Sequence, residues 1–90
     1  MVARIEGFEI VGPYRLAVSF SDGSRGEHDF RPMVEAGGGI LAELTDEGLF
    51  GRVFLDFGAL TWPNGFDIAP EWLRREMLAA GELRPAAAAE

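Results

Sequence analysis

One stretch takes the chain from strand to helix within eleven residues: Thr61-Trp62-Pro63-Asn64-Gly65-Phe66-Asp67-Ile68-Ala69-Pro70-Glu71. Trp62 ends an apolar strand, and Pro63 stops that strand because proline has a fixed φ and no N–H to donate to a neighbouring strand. The Asn64-Gly65 pair tolerates positive φ, which predicts a tight turn. We call residues 61–71 the corner.

A helix is predicted to follow the corner. Asp67 can accept hydrogen bonds from the backbone N–H groups just ahead of it and so cap the helix. Pro70 suits the first helical turn, and Glu71 suits its positive end. Gly81 is expected to end the helix, whose apolar stripe consists of Trp72, Leu73, Met77 and Leu78.

Two strands are predicted just before the corner. The first covers residues 53–57 and places Leu55 and Phe57 on its apolar face, because side chains in a strand alternate between faces. Gly58 permits a turn, and residues 60–62 form the return strand.

The N-terminal part of the chain predicts a hairpin. Residues 2–11 form a first strand, Gly12-Pro13 breaks it, and residues 14–20 alternate apolar with polar side chains. Ser21-Asp22-Gly23-Ser24 reads as the hairpin turn. A two-residue loop would set the apolar face against charges, whereas one more residue opposes Phe20 to Gly26, Val18 to His28 and Leu16 to Phe30. We therefore predict a three-residue loop, or a tight turn followed by a bulge.

Short helices are predicted in the middle of the chain. Residues 31–36 can form one helical turn before the flexible Gly37-Gly38-Gly39. Leu41 and Leu44 are spaced for a second short helix. Thr45 or Asp46 can cap another turn, which contains Leu49 and Phe50.

Together these patterns predict an α+β fold. It has a small antiparallel sheet of about four to five strands, short helices in the middle and one C-terminal helix. We expect a single domain over residues 1–81 and a disordered C-terminal tail over residues 82–90, where Pro85 and a run of alanines offer little to bury.

Composition limits the kinds of function. The chain has 90 residues, no Cys and one His, so thiolate metal sites and disulfides are excluded. Fifteen acidic residues against eight basic ones give a net charge of −7, which disfavours binding to nucleic-acid phosphates and favours a basic protein partner. The sequence shows no membrane-length apolar run and no signal-peptide pattern, so we expect a cytoplasmic protein that does not bind membranes.

Four motifs follow one another along the chain: Tyr14-x-Leu16-x-Val18-x-Phe20-x-Asp22-Gly23, Asp29-Phe30, Leu41-x-x-Leu44-x-Asp46-x-x-x-Phe50-x-x-Val53, and Trp62-Pro63-Asn64-Gly65-x-Asp67-Ile68-x-Pro70-Glu71-x-Leu73. This order resembles that of the Domain of Unknown Function 2442 family of short bacterial proteins, over about residues 2–78. The resemblance implies a small α+β fold and no established activity. It also implies a gene pair similar to toxin–antitoxin modules, because members are often encoded beside another small protein. Relatives often have Ser where Ala69 stands, so here Asp67 is expected to take the capping role.

Few residues suggest catalysis. Asp67 and Glu71 can lie one helical turn apart as an acid/base pair, yet capping and helix-dipole roles explain both. His28 and Asp29 are neighbours on a strand and therefore point to opposite faces. Trp62 and Trp72 can stack a ligand, although such residues more often belong to a core. We expect no catalytic residue, no cofactor and no metal site.

Three functions remain open. The first is a non-enzymatic interaction module, the acidic partner in a toxin–antitoxin-like gene pair, with the family-signature residues acting as a structural corner or an interaction surface: Trp62, Pro63, Asn64, Gly65, Asp67, Pro70 and Glu71. The second is a small enzyme or ligand-binding domain that uses Asp67, Glu71 and Trp62. The third is a regulator associated with nucleic acid. The sequence leaves the oligomeric state open.

Overall fold

Over residues 3–85, which the computed structural model describes, the chain forms six strands, three α-helices and one 3₁₀ helix. The strands are β1 (Ile5–Gly12), β2 (Arg15–Phe20), β3 (Arg25–Asp29), β4 (Phe54–Asp56), β5 (Ala59–Thr61) and β6 (Asp67–Ile68). The helices are α1 (Arg31–Ala36), the 3₁₀ helix (Gly39–Thr45), α2 (Glu47–Phe50) and α3 (Pro70–Ala79). The α+β class is confirmed.

The strands form two sheets rather than the single sheet that was predicted. Both are antiparallel and three-stranded, with the orders β1-β2-β3 and β4-β5-β6. The helices between β3 and β4 separate the two sets of strands along the chain. The sheets nevertheless share one hydrophobic core, formed by Ile5, Leu16, Val18, Phe20, Phe30, Val34, Leu44, Phe50, Val53, Leu60, Trp62, Ile68, Leu73 and Met77.

The hairpin of β2 and β3 has the three-residue loop that was predicted, but its predicted register is wrong by two residues. Leu16 lies opposite His28 and Val18 opposite Gly26. A hydrogen bond at the loop sets this register. The Phe20 N–H donates to the Ser24 carbonyl at 2.8 Å, which places Ser24 opposite Phe20. A shift of two residues keeps every side chain on its face, so the apolar face of β2 is buried as expected.

The middle of the chain forms the short helices that were predicted. The helical turn over residues 31–36 is α1. Of the two capping candidates, Asp46 is the cap, because its side chain accepts from the Gly48 N–H at 2.9 Å. Buried Leu44 and Phe50 tie the 3₁₀ helix and α2 to the core.

The hairpin of β4 and β5 differs from its prediction at Phe57. This residue was expected on the apolar face with Leu55, but it is 93% exposed. Strand β4 ends at Asp56, and Phe57-Gly58 forms the two-residue turn to Ala59. Both turn residues have positive φ, +51° and +81°, as in a type I′ hairpin turn.

The end of α3 is held by a hydrogen-bonded Schellman motif. Gly81, at φ +73°, donates to the Leu78 carbonyl, and the Glu82 N–H donates to the Met77 carbonyl at 2.8 Å. The tail was predicted to begin at Glu82. In the structure, however, Arg84 in this segment exchanges two backbone hydrogen bonds with Arg25 of β3. The packed chain therefore extends to Arg84, and the rest of the predicted tail, residues 86–90, lies outside the described residues.

Candidate functional site

The corner begins with the tight turn that the sequence predicted. Gly65, at φ +94°, donates to the Trp62 carbonyl, and the Trp62 N–H donates to the Phe66 carbonyl, both at 2.9 Å. The Asn64 side chain accepts from the Phe66 N–H at 3.1 Å and donates to the Ile40 carbonyl at 3.2 Å. Asn64 therefore fixes the turn and also ties it to the 3₁₀ helix, a long-range contact that no local sequence signal indicated.

Trp62 belongs to the core. Its side chain is 1% exposed, and its indole N–H donates to the Phe50 carbonyl at 2.9 Å. The ring lies 5.5 Å from the Phe50 ring and 5.6 Å from the Phe66 ring. A ring so enclosed cannot stack on a ligand, so the ligand role suggested for Trp62 is not available to it.

The capping role predicted for Asp67 is wrong. Asp67 lies in β6 opposite Thr61, and Ala69 is the residue that precedes the first helical residue, with no side chain capping it. The cause is Ile68, which is buried and pairs with Leu60, so the chain stays extended past Asp67. Pro70 lies at the first position of α3, as predicted, and Glu71 is exposed in the first turn.

Beside the corner lies an apolar hollow open to solvent, with a volume of about 390 Å³. We call it the corner depression, and it is lined by Met33, Phe66, Asp67, Ile68, Ala69 and Trp72. Most of these residues come from the corner, while Met33 comes from α1 and Trp72 from α3. Trp72 was predicted to be part of a buried stripe but is 38% exposed. The corner depression can therefore accept an apolar side chain and place a positive charge next to the Asp67 carboxylate.

The structure does not bring together the residues considered for acid/base chemistry. Asp67 lines the corner depression, whereas Glu71 lines a different shallow groove with Asp22 and Arg74. His28 lies on β3, where its Nδ1 is 2.7 Å from Glu82 Oε1. Among residues 3–85, Asp67, Glu71 and His28 thus lie in three different surroundings.

The Asp22 carboxylate is held by several hydrogen-bond donors in the β2–β3 loop. The Ser24 hydroxyl donates to it at 2.6 Å and the Ser24 N–H at 2.9 Å. Together with the Arg74 guanidinium, at 2.8 Å, these donors lower the pKa of Asp22 from 3.8 to about 2. This group has a structural role, because it ties the β2–β3 loop to α3.

Between residues 3 and 85 no three His, Asp or Glu side chains are grouped as metal ligands. In the same part of the chain, every helix is too short or too polar to cross a membrane.

The fold and site define a small α+β protein with two three-stranded sheets and a solvent-open apolar depression formed largely by one strand-to-helix corner. The chain belongs to the family described as "Protein of unknown function (DUF2442)", whose model matches residues 5–78. Neither the curated proteins nor the solved structures contained a match to the chain.

Proposed function

We propose that the chain is a protein-interaction module that binds a basic partner protein through the corner depression. The partner is the product of a neighbouring gene, in a pair organised like a toxin–antitoxin module. The observation that carries this proposal is the corner depression itself, where exposed apolar surface from three parts of the chain surrounds one carboxylate.

The lining of the corner depression suits protein recognition. Tryptophan and methionine are enriched at the centres of protein interfaces, where they act as anchors. Trp72 offers a flat aromatic surface, and the flexible Met33 side chain can adapt to the shape of a partner. Such a site fits an aliphatic or aromatic side chain with a Lys or Arg beside it.

Charge supports a basic partner. The chain has 15 acidic and 8 basic residues, and Asp67 is exposed at the corner depression. A negative surface speeds encounter with a positive one and repels nucleic-acid phosphates.

The segment that lines the corner depression is also fixed by contacts with the rest of the fold. The Phe66 ring packs at a tilt against buried Trp62, and Asn64 links the turn to the 3₁₀ helix. A surface that is already ordered loses little conformational entropy when a partner binds.

Co-expression of the chain with the product of the adjacent gene, followed by affinity purification, tests this proposal. The two proteins should co-purify, and Trp72→Ala should abolish co-purification because it removes the aromatic anchor. Leu78→Ala is the matched control, since Leu78 is on the same helix and is 57% exposed but lies outside the corner depression. If both variants still co-purify with the partner, the corner depression is not the binding site. Binding of duplex DNA by the chain alone would favour the nucleic-acid regulator instead.

A further inference from the structure

We propose that the chain also binds a second copy of itself, with Phe57 of each copy inserted into the corner depression of the other. The proposal starts from Phe57, the most exposed large apolar side chain of the described residues, at 93%. It occupies the first position of a type I′ turn at φ +51°, where Asn, Asp or Gly is preferred. A bulky residue held at positive φ is strained, and such strain is concentrated at functional sites.

Tyr14 shows how the same strain is offset when a residue has a structural role. It has φ +58°, but its ring lies 5.0 Å from that of Phe50, and its hydroxyl donates to the Thr45 carbonyl at 2.6 Å. The Tyr14 ring therefore contributes to the stability of the fold. The exposure of Phe57 means that its ring gains almost nothing from the fold of its own copy.

The turn presents Phe57 in a fixed position beside a positive charge. The Gly58 carbonyl accepts from the Ile5 N–H at 2.8 Å, which anchors the tip of the hairpin to β1. The Arg4 side chain lies against Gly58, so that a β-carbon there would be 3.0 Å from Arg4 Cβ. The tip therefore offers an aromatic ring with a guanidinium next to it.

The corner depression offers the complementary features. It is apolar, its volume of about 390 Å³ can hold a phenyl ring, and it carries the Asp67 carboxylate. Two chains of net charge −7 repel each other, so a contact between two copies is favoured where a basic side chain of one faces an acidic side chain of the other. At the tip, Arg4 supplies one positive charge near the exposed Asp56 carboxylate, and Arg4 of one copy can pair with Asp67 of the other.

Reciprocal insertion of the two Phe57 rings makes the contact symmetric. Each copy gives one ring and accepts one, which is the self-complementary arrangement of a two-fold dimer. Each buried ring covers roughly 150–250 Å², so the interface is small and the dimer weak. The dimer and the complex of the proposed function share the corner depression and exclude each other. The dimer is tested without any partner, so either proposal can fail alone.

Sedimentation equilibrium of the full chain, over about 10 μM to about 1 mM where small interfaces associate, tests the dimer. The wild-type chain should be monomer at the low end and largely dimer at the high end. Phe57→Asn, which suits the turn and removes the ring, should weaken dimerisation at least about tenfold, as for an interface hot spot. Phe54→Thr is the matched control, because Phe54 is an exposed aromatic of the same hairpin away from its tip, and it should dimerise like wild type.

Pairs of variants identify the two surfaces. Trp72→Ala should also weaken the dimer, and a mixture of Phe57→Asn with Trp72→Ala should form a heterodimer more readily than either forms a homodimer, since one intact ring–depression contact remains possible. Arg4→Asp and Asp67→Arg should each weaken dimerisation, and the double substitution in one chain should restore it. A wild-type chain that stays monomeric at the highest concentration overturns the proposal, and so does a Phe57→Asn chain that dimerises like wild type.

Discussion

Trp62 is the residue on which the corner depends most. Truncation to alanine removes a fully buried indole and leaves the Phe50 carbonyl without its donor. Trp62→Ala should therefore lower the free energy of unfolding by about 3–5 kcal/mol. Urea denaturation measures this, with Asn64→Ala as the comparison, because Asn64 is only partly buried and should cost much less. An unchanged free energy of unfolding in Trp62→Ala would mean that the ring is not part of the core.

Asp22 gives the chain a defined response to acid. Its folded pKa of about 2 lies below its ordinary value of 3.8, chiefly because the Ser24 hydroxyl donates to the carboxylate. The unfolded chain binds the proton more readily, so Asp22 stabilises the fold fully above 3.8 and loses this contribution as the pH falls through about 2.

Asp22→Asn should remove this part of the acid sensitivity. In urea denaturation at a series of pH values, the stability difference between wild type and the variant should be constant above 3.8 and shrink towards pH 2. Arg74→Gln should change the profile less, because the two Ser24 donors remain. Identical pH profiles for wild type and Asp22→Asn would contradict the assignment.

At the scale of single elements, the β4–β5 turn is strained because Phe57 occupies a position with positive φ. Asn takes positive φ with less strain than Phe, and the Phe57 ring contributes almost no burial. Phe57→Asn should raise the free energy of unfolding of the monomer by about 1 kcal/mol. Phe57→Val should lower it, since a β-branched residue tolerates positive φ still less. Both are measured at low protein concentration, and a destabilised Phe57→Asn monomer would show that the ring has a structural role.

The segment after α3 depends on a glycine in β3. A β-carbon at Gly26 would overlap the Glu82 carbonyl, so Gly26→Ala should displace residues 82–84 from β3. Amide hydrogen exchange at Arg25 and Arg84, which bond to each other, should become faster. Gly7→Ala is the matched control, since a β-carbon at this strand glycine meets no atom within 4 Å. Unchanged protection at Arg84 in Gly26→Ala would show that the segment docks without this close approach.

Local signals predicted the elements well. Features that depend on neighbouring residues were predicted correctly, namely the bounds of α1 and Pro70 at the start of α3. The cap of α2 was narrowed to Thr45 or Asp46, and the structure shows that it is Asp46. Phe57 was misplaced because alternation does not reveal where a strand ends. The Asp67 cap was wrong because the pairing of Ile68 with Leu60, a contact between strands, delays the helix.

Other features depend on contacts between distant parts of the chain. The hairpin register follows from hydrogen bonds within the loop, such as that from Ser24 to Asp22, which no face pattern encodes. The division into two sheets and the corner depression arise only when the chain packs. Met33 lines the depression together with Phe66 and Trp72, which lie far from it in the sequence, so the depression is not visible in any single stretch of sequence.

At the scale of the whole molecule, the net charge of −7 separates the two associations proposed for the corner depression. Repulsion between two identical acidic chains keeps the dimer weak, whereas attraction to a basic partner accelerates encounter. If both proposals hold, a basic partner associates faster than a second copy at the same surface. That advantage depends on ionic strength, because salt screens charges separated by more than about 10 Å at 0.1 M.

The association rate with the product of the adjacent gene should accordingly fall steeply as salt rises, by about tenfold or more across the range from low to high ionic strength, while the dissociation rate changes little. Stopped-flow mixing at a series of salt concentrations measures both rates. Asp67→Asn should reduce the salt dependence, because it removes a charge at the contact itself. Asp56→Asn is the matched control, since Asp56 is an exposed carboxylate of β4 outside the corner depression, and it should have the smaller effect. A salt-independent association rate would remove charge as a cause of partner choice and leave the apolar lining of the corner depression to account for binding alone.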